Sequence, residues 1–181
     1  MRIEVRAATL DDVEGIVAVA VQAWEKGFRG IVPAEIDARE AWAPDRLRAR
    51  LRDDGVARAV AEVGGRIVGF VTFGASRDRD AGRRIGEIWA LNVHPDLWRQ
   101  GVGRALVRHA LDELRRLRFK EVSLWTLADS ERARAFYAAC GFRPDGAEQR
   151  RRALGSPLEV RYRLGLRQLT PQFAPKALKN R

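Results

Sequence analysis

The sequence predicts an α/β domain built on a mixed sheet. Three observations carry that reading. Two β-rich runs meet at Gly64-Gly65, the pattern of an antiparallel hairpin. Between Gly86 and Leu127, strand-like and helix-like segments alternate, as in a parallel crossover. The chain has 181 residues, 46% of them hydrophobic, which suits one domain with a real core.

The elements follow in order. "IEVRAA" alternates like a strand, and "TLDD" offers Thr9 as a helix N-cap with Asp12 three residues on. Val13, Ile16, Val17, Ala20 and Trp24 then recur at helical spacing. "WEKGFRGIVPAE" is broken by glycines and Pro33, and "PDRLRARLRDD" starts a second short helix at Pro44. The hairpin "ARAVAEVGGRIVGFVTFGA" and a third strand, "GEIWALNV", lead through "HPDLW" into a helix from about Gly101 to Arg118. That helix is expected to bury Val102, Leu106, Ala110, Leu114 and Leu117. Strand "EVSLWTL", helix "SERARAFYAAC", a break at Gly141 and strands around "GFRPDG" and "LEVRYRLGL" complete the fold near residue 165. Residues 166–181, with Pro171, Pro175, Lys176 and Lys179, read as a flexible basic tail or a vector-derived remnant.

Bulk properties narrow the function. The longest apolar run, "GIVAVAV", is too short to cross a bilayer, and early acids replace the apolar region of a signal peptide, so a cytoplasmic protein is expected, with no membrane partner. One cysteine and two histidines argue against a zinc cluster, and no metal is expected. A net charge of +10 and a pI near 11 invite a nucleic-acid reading. The basic residues are nevertheless interleaved with acids, as in "SRDRDAGRR", so a solvated surface is expected and no specific nucleic acid. A homodimer remains open.

The stretch "WRQGVGRALV" places Gly101 and Gly103 at a strand-to-helix junction. Amides at a helix N-terminus lack partners within the helix, so an anion can dock there, and glycine permits close approach. The spacing fits neither a dinucleotide fingerprint nor a P-loop, and a plain tight turn is the alternative.

"LNVHPDLWRQGVGRALV", followed by "RARAFYAACGFRPDG", resembles the GCN5-related N-acetyltransferases over nearly the whole domain, residues 1–165. The resemblance implies a central twisted mixed sheet of about seven strands flanked by about four helices. It implies transfer of an acetyl group from acetyl-coenzyme A to a primary amine, of a small molecule or a peptide, by direct attack in a ternary complex. The alternatives are a non-catalytic coenzyme A-binding regulator on the same fold and a basic nucleic-acid-binding protein.

By this resemblance the coenzyme A pyrophosphate lies on the amides of Arg99, Gln100, Gly101, Val102, Gly103 and Arg104. Trp98 stands where the family usually has Gln or Arg. Leu91 and Val93 would pair with the pantetheine arm, and the Leu91 amide would face the thioester carbonyl. Tyr137 matches the tyrosine that protonates the departing thiolate, a task a phenol of pKa near 10 can perform; an aromatic packed beside Phe136 is the alternative. Ser130 occupies a cofactor-contacting position, or is simply an N-cap.

A lysine-type acceptor of pKa about 10.4 is neutral only about once in 2,500 molecules at pH 7, a handicap of roughly 4.6 kcal/mol, so a base is useful. Glu87 resembles the base of histone-type members; the alternative is a carboxylate fixed by Arg83 or Arg84. The ribosomal-protein alanine acetyltransferases place their base where Trp125 stands here, which disfavours that subgroup. Cys140 reads as packing, or less readily as an acyl-accepting nucleophile, since no histidine adjoins it. Trp24, Phe28 and Arg29 are candidate acceptor-site residues, and Arg150–Arg152 could attract an acidic acceptor or form a solvated turn.

Overall fold

The computed structural model describes residues 1–28, 30–33, 40, 42–52, 55–152 and 155–168. Seven strands form one sheet in the order β1-β2-β3-β4-β5-β7-β6. The strands are β1 Glu4–Ala7, β2 Val56–Val63, β3 Arg66–Ala75, β4 Ile85–Val93, β5 Glu121–Leu127, β6 Arg143–Arg150 and β7 Leu158–Gly165. The described helices are α1 Val13–Gly27, α2 Pro44–Leu51, α3 Val102–Arg116 and α4 Glu131–Ala139. All strand pairs are antiparallel except β4 with β5, which are joined through α3.

Local chemistry sets the junctions. The β2–β3 hairpin turns on Gly64 (φ 58°) and Gly65 (φ 76°), two consecutive left-handed residues of the kind that match strand twist, and Val63 pairs with Arg66 across it. Before α1, Asp12 accepts from the Thr9 amide at 2.7 Å and the Thr9 hydroxyl at 3.1 Å, and a short 3-10 turn, Leu10–Asp12, precedes the helix.

The sheet has a helix layer on each side. On one face α1 and α2 bury Ile16, Val19, Ala20 and Leu47 against Val60 and Phe70. On the other, α3 buries Val102, Leu106, Val107, Ala110, Leu111 and Leu114 against β2, β3 and β4. Truncating a side chain such as Leu106 to Ala should cost about 3 kcal/mol. Leu117 does not join this stripe: α3 ends at Arg116, and Leu117 is 51% exposed in the cap. Leu166 in turn packs into the core, and its amide donates to Lys120 O at 2.9 Å, so ordered structure reaches past residue 165. The expected tail lies mostly outside the described residues.

Candidate active site

The site begins with a strand that leaves its neighbour. β4 pairs with β5 only from Ile85–Glu121 to Ile88–Leu124. Opposite β3 the register jumps from Phe73↔Ile88 to Thr72↔Ala90, so Trp89 is an inserted bulge residue. The bulge turns β4 away, while β5 continues to Leu127 along β7. A split opens between the two strands.

Backbone alternation decides what faces that split. The His94 amide donates to Val68 O at 2.8 Å, so residues of its parity bond toward β3 and the amides of Leu91 and Val93 point the other way. The Val93 carbonyl already has a partner there, the Trp98 indole N–H at 2.8 Å. Side chains alternate too. Leu91 and Val93 lie on the α3 face with Phe136 and Tyr137, and Glu87, Trp89 and Ala90 lie on the α1 face.

At one end of the split, the chain runs through a 3-10 turn, Pro95–Leu97, into α3. Arg99 (φ 63°) and Gly101 (φ 91°) are both left-handed, and between them the Gln100 amide donates back to Leu97 O at a long 3.4 Å. The first bond inside the helix is Ala105 N to Gly101 O at 3.0 Å, so the amides of Val102, Gly103 and Arg104 have no partner within α3. The two glycines serve different needs. A side chain at Gly101 meets nothing closer than Ile3 at 3.8 Å, but its φ disfavours one. A Cβ at Gly103 would sit 3.2 Å from the Phe136 ring, so this glycine lets α4 approach α3.

Tyr137 lies on α4 beneath the split, 9% exposed, edge-on to Phe136 at 5.2 Å and Phe142 at 6.1 Å. Burial raises its pKa well above the ordinary phenol value, the nearby Cys140 adds to the rise, and the Arg132 charge opposes it. Arg132 stacks 3.5 Å over the Trp98 ring and so joins α4 to the loop ahead of α3. Ser130 is buried before α4, and its hydroxyl does not cap the helix. Cys140 is fully buried, and burial pushes its thiol up to about 11, so it is packing and not a reactive group.

These features converge with comparisons to known proteins. The model of the acetyltransferase (GNAT) family matches residues 20–142. The chain belongs to that family. An uncharacterized N-acetyltransferase of Archaeoglobus fulgidus is 31% identical over 137 residues, 75% of this chain and 90% of its own. A mycothiol acetyltransferase of Beutenbergia cavernae is 30% identical over 120 residues, which span 66% of this chain and 36% of that longer one. Among solved structures, the PaiA N-acetyltransferase of Thermoplasma acidophilum, in complex with coenzyme A, aligns with a TM-score of 0.75 at 19% identity, covering 89% of this chain and 98% of that one. The expected fold is therefore the observed one, and the protein is an acetyltransferase.

The α1 face of this acetyltransferase holds what the sequence did not reveal. Glu87, 2% exposed, accepts from the Arg77 guanidinium at 2.8 Å, the Arg77 amide at 2.8 Å and the Ser76 hydroxyl at 3.4 Å. The fixing cation is Arg77 and not Arg83 or Arg84, because the β3–β4 loop folds back directly after β3. Arg77 also lies 4.6 Å from the centre of the Trp89 ring.

On β5, the Trp125 indole donates to Asp78 at 2.8 Å. Buried Arg161 joins that loop to the β6–β7 hairpin through Asp78 (3.0 Å), Asp80 (2.7 Å) and Asp145 (2.8 Å). Trp24 and Phe28 meet edge to face at 4.9 Å near the end of α1, where Gly27 closely approaches Arg132. Arg29 lies outside the described residues. Arg151 pairs with Glu159 at 3.5 Å and Arg150 donates to Ser156 O, so the basic turn is partly tied down. Among the described residues, no cluster of ligands suits a metal and no helix is long and apolar enough to cross a membrane.

Proposed function

We propose that the protein transfers an acetyl group from acetyl-coenzyme A to a primary amine by direct attack in a ternary complex. The supporting observation is the split itself. Its two strands stop pairing at Ile88, and the Leu91 and Val93 amides are directed into the gap with unpartnered α3 amides at its end. An extended pantetheine arm fits this gap as a substitute strand, and its pyrophosphate fits the amides of Arg99 to Arg104, where the helix dipole favours negative charge.

The Leu91 amide then faces the thioester oxygen and stabilises charge as it develops there. Glu87 lines the amine side, and its remaining lone pair can receive a proton through a water. Tyr137 lines the opposite face. Its buried phenol stays protonated near neutral pH, and it gives that proton to the leaving thiolate. Ser130 contacts the cofactor from the start of α4. Trp24 and Phe28 border the amine entrance, with Arg29 beside them in sequence.

Mass spectrometry of a panel of amines incubated with acetyl-coenzyme A and the full chain, alongside release of free thiol, tests this reading. Acetylated amine with matching thiol is the expected result. Binding of acetyl-coenzyme A with no acetylated amine across the panel would favour a coenzyme A-binding regulator.

A further inference from the structure

From the α1 face of the split we infer the acceptor class: an α-amine of low pKa, a peptide N-terminus, and neither a lysine side chain nor a polyamine. The inference rests on the acetyl-transfer reading above and narrows its substrate.

The first reason is proton demand. Glu87 is the buried carboxylate of β4 on this face, and three donors from Arg77 and Ser76 already occupy it. A carboxylate offers about four lone-pair sites, so little capacity is left for abstracting a proton. A lysine ammonium of pKa about 10.4 needs strong help at pH 7. The ammonium of a peptide N-terminus, of pKa about 7.7–8.0, is already neutral in about one molecule in ten, roughly 250 times more often.

The second reason is charge. Two indoles flank the split on this face, Trp89 from β4 and Trp125 from β5, and both could hold a cation by cation–π contact. Arginines already cover them, Arg77 at 4.6 Å and Arg161 at 5.4 Å. The acids close to them are paired as well: Glu87 with Arg77, Asp78 and Asp80 with Arg161, and Glu121 with Arg163. A substrate with several ammonium groups meets no unpaired carboxylate among these residues, on a chain of net charge +10.

The step balances simply. The neutral amine forms the N–C bond and the C–S bond breaks. The amine proton passes to water, directly or by way of Glu87, and the thiolate takes the Tyr137 proton, which solvent later restores.

The test uses the full chain, acetyl-coenzyme A and three acceptors: a lysine-free peptide with a free N-terminus, the same peptide N-terminally blocked and carrying one lysine, and spermidine. Acetylated positions are read by tandem mass spectrometry and kcat/KM is followed from pH 6 to 9.5. The expected result is acetylation of the free N-terminus, with kcat/KM at pH 7 about 10² above the lysine peptide and a plateau near pH 8. Equal or faster acetylation of lysine or spermidine overturns the inference, as does acetyl-coenzyme A binding with no α-amine product. Absence of any thermal stabilisation by acetyl-coenzyme A would overturn the underlying acetyl-transfer reading instead. Arg77→Met provides an independent check. By freeing Glu87 and the Trp89 face it should raise the lysine-to-α-amine ratio several-fold, and an unchanged ratio in a folded variant also overturns the inference.

Discussion

The two faces of the β4–β5 split are built by opposite means. The face toward α3 and α4 is apolar and local: Leu91 and Val93 of β4, a left-handed loop at Arg99 and Gly101, and Tyr137 packed between Phe136 and Phe142. The face toward α1 is charged and non-local, with Arg161 tied to Asp80 from 81 residues away and Trp125 tied to Asp78 from 47. Backbone geometry organises the first and side-chain charge organises the second. A cofactor common to many acetyltransferases needs the same backbone amides each time. An acceptor particular to one protein is recognised by side chains, and those are free to differ.

The sharpest test of the apolar face is Gly101→Glu. It adds an anion where the pyrophosphate is proposed to lie and a side chain where φ is 91°, which by itself costs about 1–2 kcal/mol. Thermal stabilisation by acetyl-coenzyme A should disappear. Gly101→Ala carries the same backbone strain without the charge and should keep part of the stabilisation. If Gly101→Glu folds and is still stabilised like wild type, the phosphate site lies elsewhere.

Tyr137→Phe comes next. The ring and its packing remain while the proton is lost, so turnover should fall by about 10², the lower end for a lost general acid because a thiolate is a fair leaving group. Affinity for acetyl-coenzyme A, measured by calorimetry, should stay within about twofold. Full activity would leave water as the proton source.

The charged face is tested by Arg161→Leu. The side chain is 8% exposed and holds three aspartates, so its removal leaves Asp78 without its cation and leaves Asp80 and Asp145 to Arg163 alone, at 3.5 and 2.7 Å. Urea unfolding should show a loss of about 3 kcal/mol. Among variants that still fold, the KM for the amine should rise more than the KM for acetyl-coenzyme A, because Asp78 and Asp80 of the β3–β4 loop hold Trp125 and Arg161 on the α1 face. Equal changes in both constants would mean that the two faces are not separable.

The same contrast explains what could be read from the chain. Order and type of elements were legible because each depends on neighbours in sequence: Gly64-Gly65 announces a hairpin, Thr9 with Asp12 a helix start, and the spacing of Val102, Leu106 and Ala110 a helix face. Leu117 continued that spacing but lay beyond the point where α3 unwinds, which periodicity alone does not mark. "SRDRDAGRR" looked like solvated charge because alternating signs along the chain suggest that its residues neutralise one another. In the fold, Asp78 and Asp80 instead neutralise an arginine of β7, and Arg77 neutralises Glu87. Trp98 departed from the family pattern without a visible reason; its bonds to Val93 and Arg132 supply one that needs three dimensions.

The smallest expected effect is also the most informative about how the two faces cooperate. Glu87→Gln keeps the shape of the side chain and an oxygen to accept from Arg77, but it removes the negative charge opposite that guanidinium at 2.8 Å. If Glu87 relays the amine proton, the variant should be slow only where the amine still carries that proton. With an α-amine of pKa about 8, kcat/KM should fall several-fold at pH 6.5, and the deficit should shrink toward zero by pH 9 as the amine deprotonates unaided. With a lysine-type amine the deficit would persist to about pH 10, so the pH at which wild type and variant converge also reports the acceptor. A loss of the same size at every pH would assign Glu87 to holding Arg77 and the β3–β4 loop in place. The amine would then lose its proton to solvent alone, and the charged face would act on the substrate only through its shape.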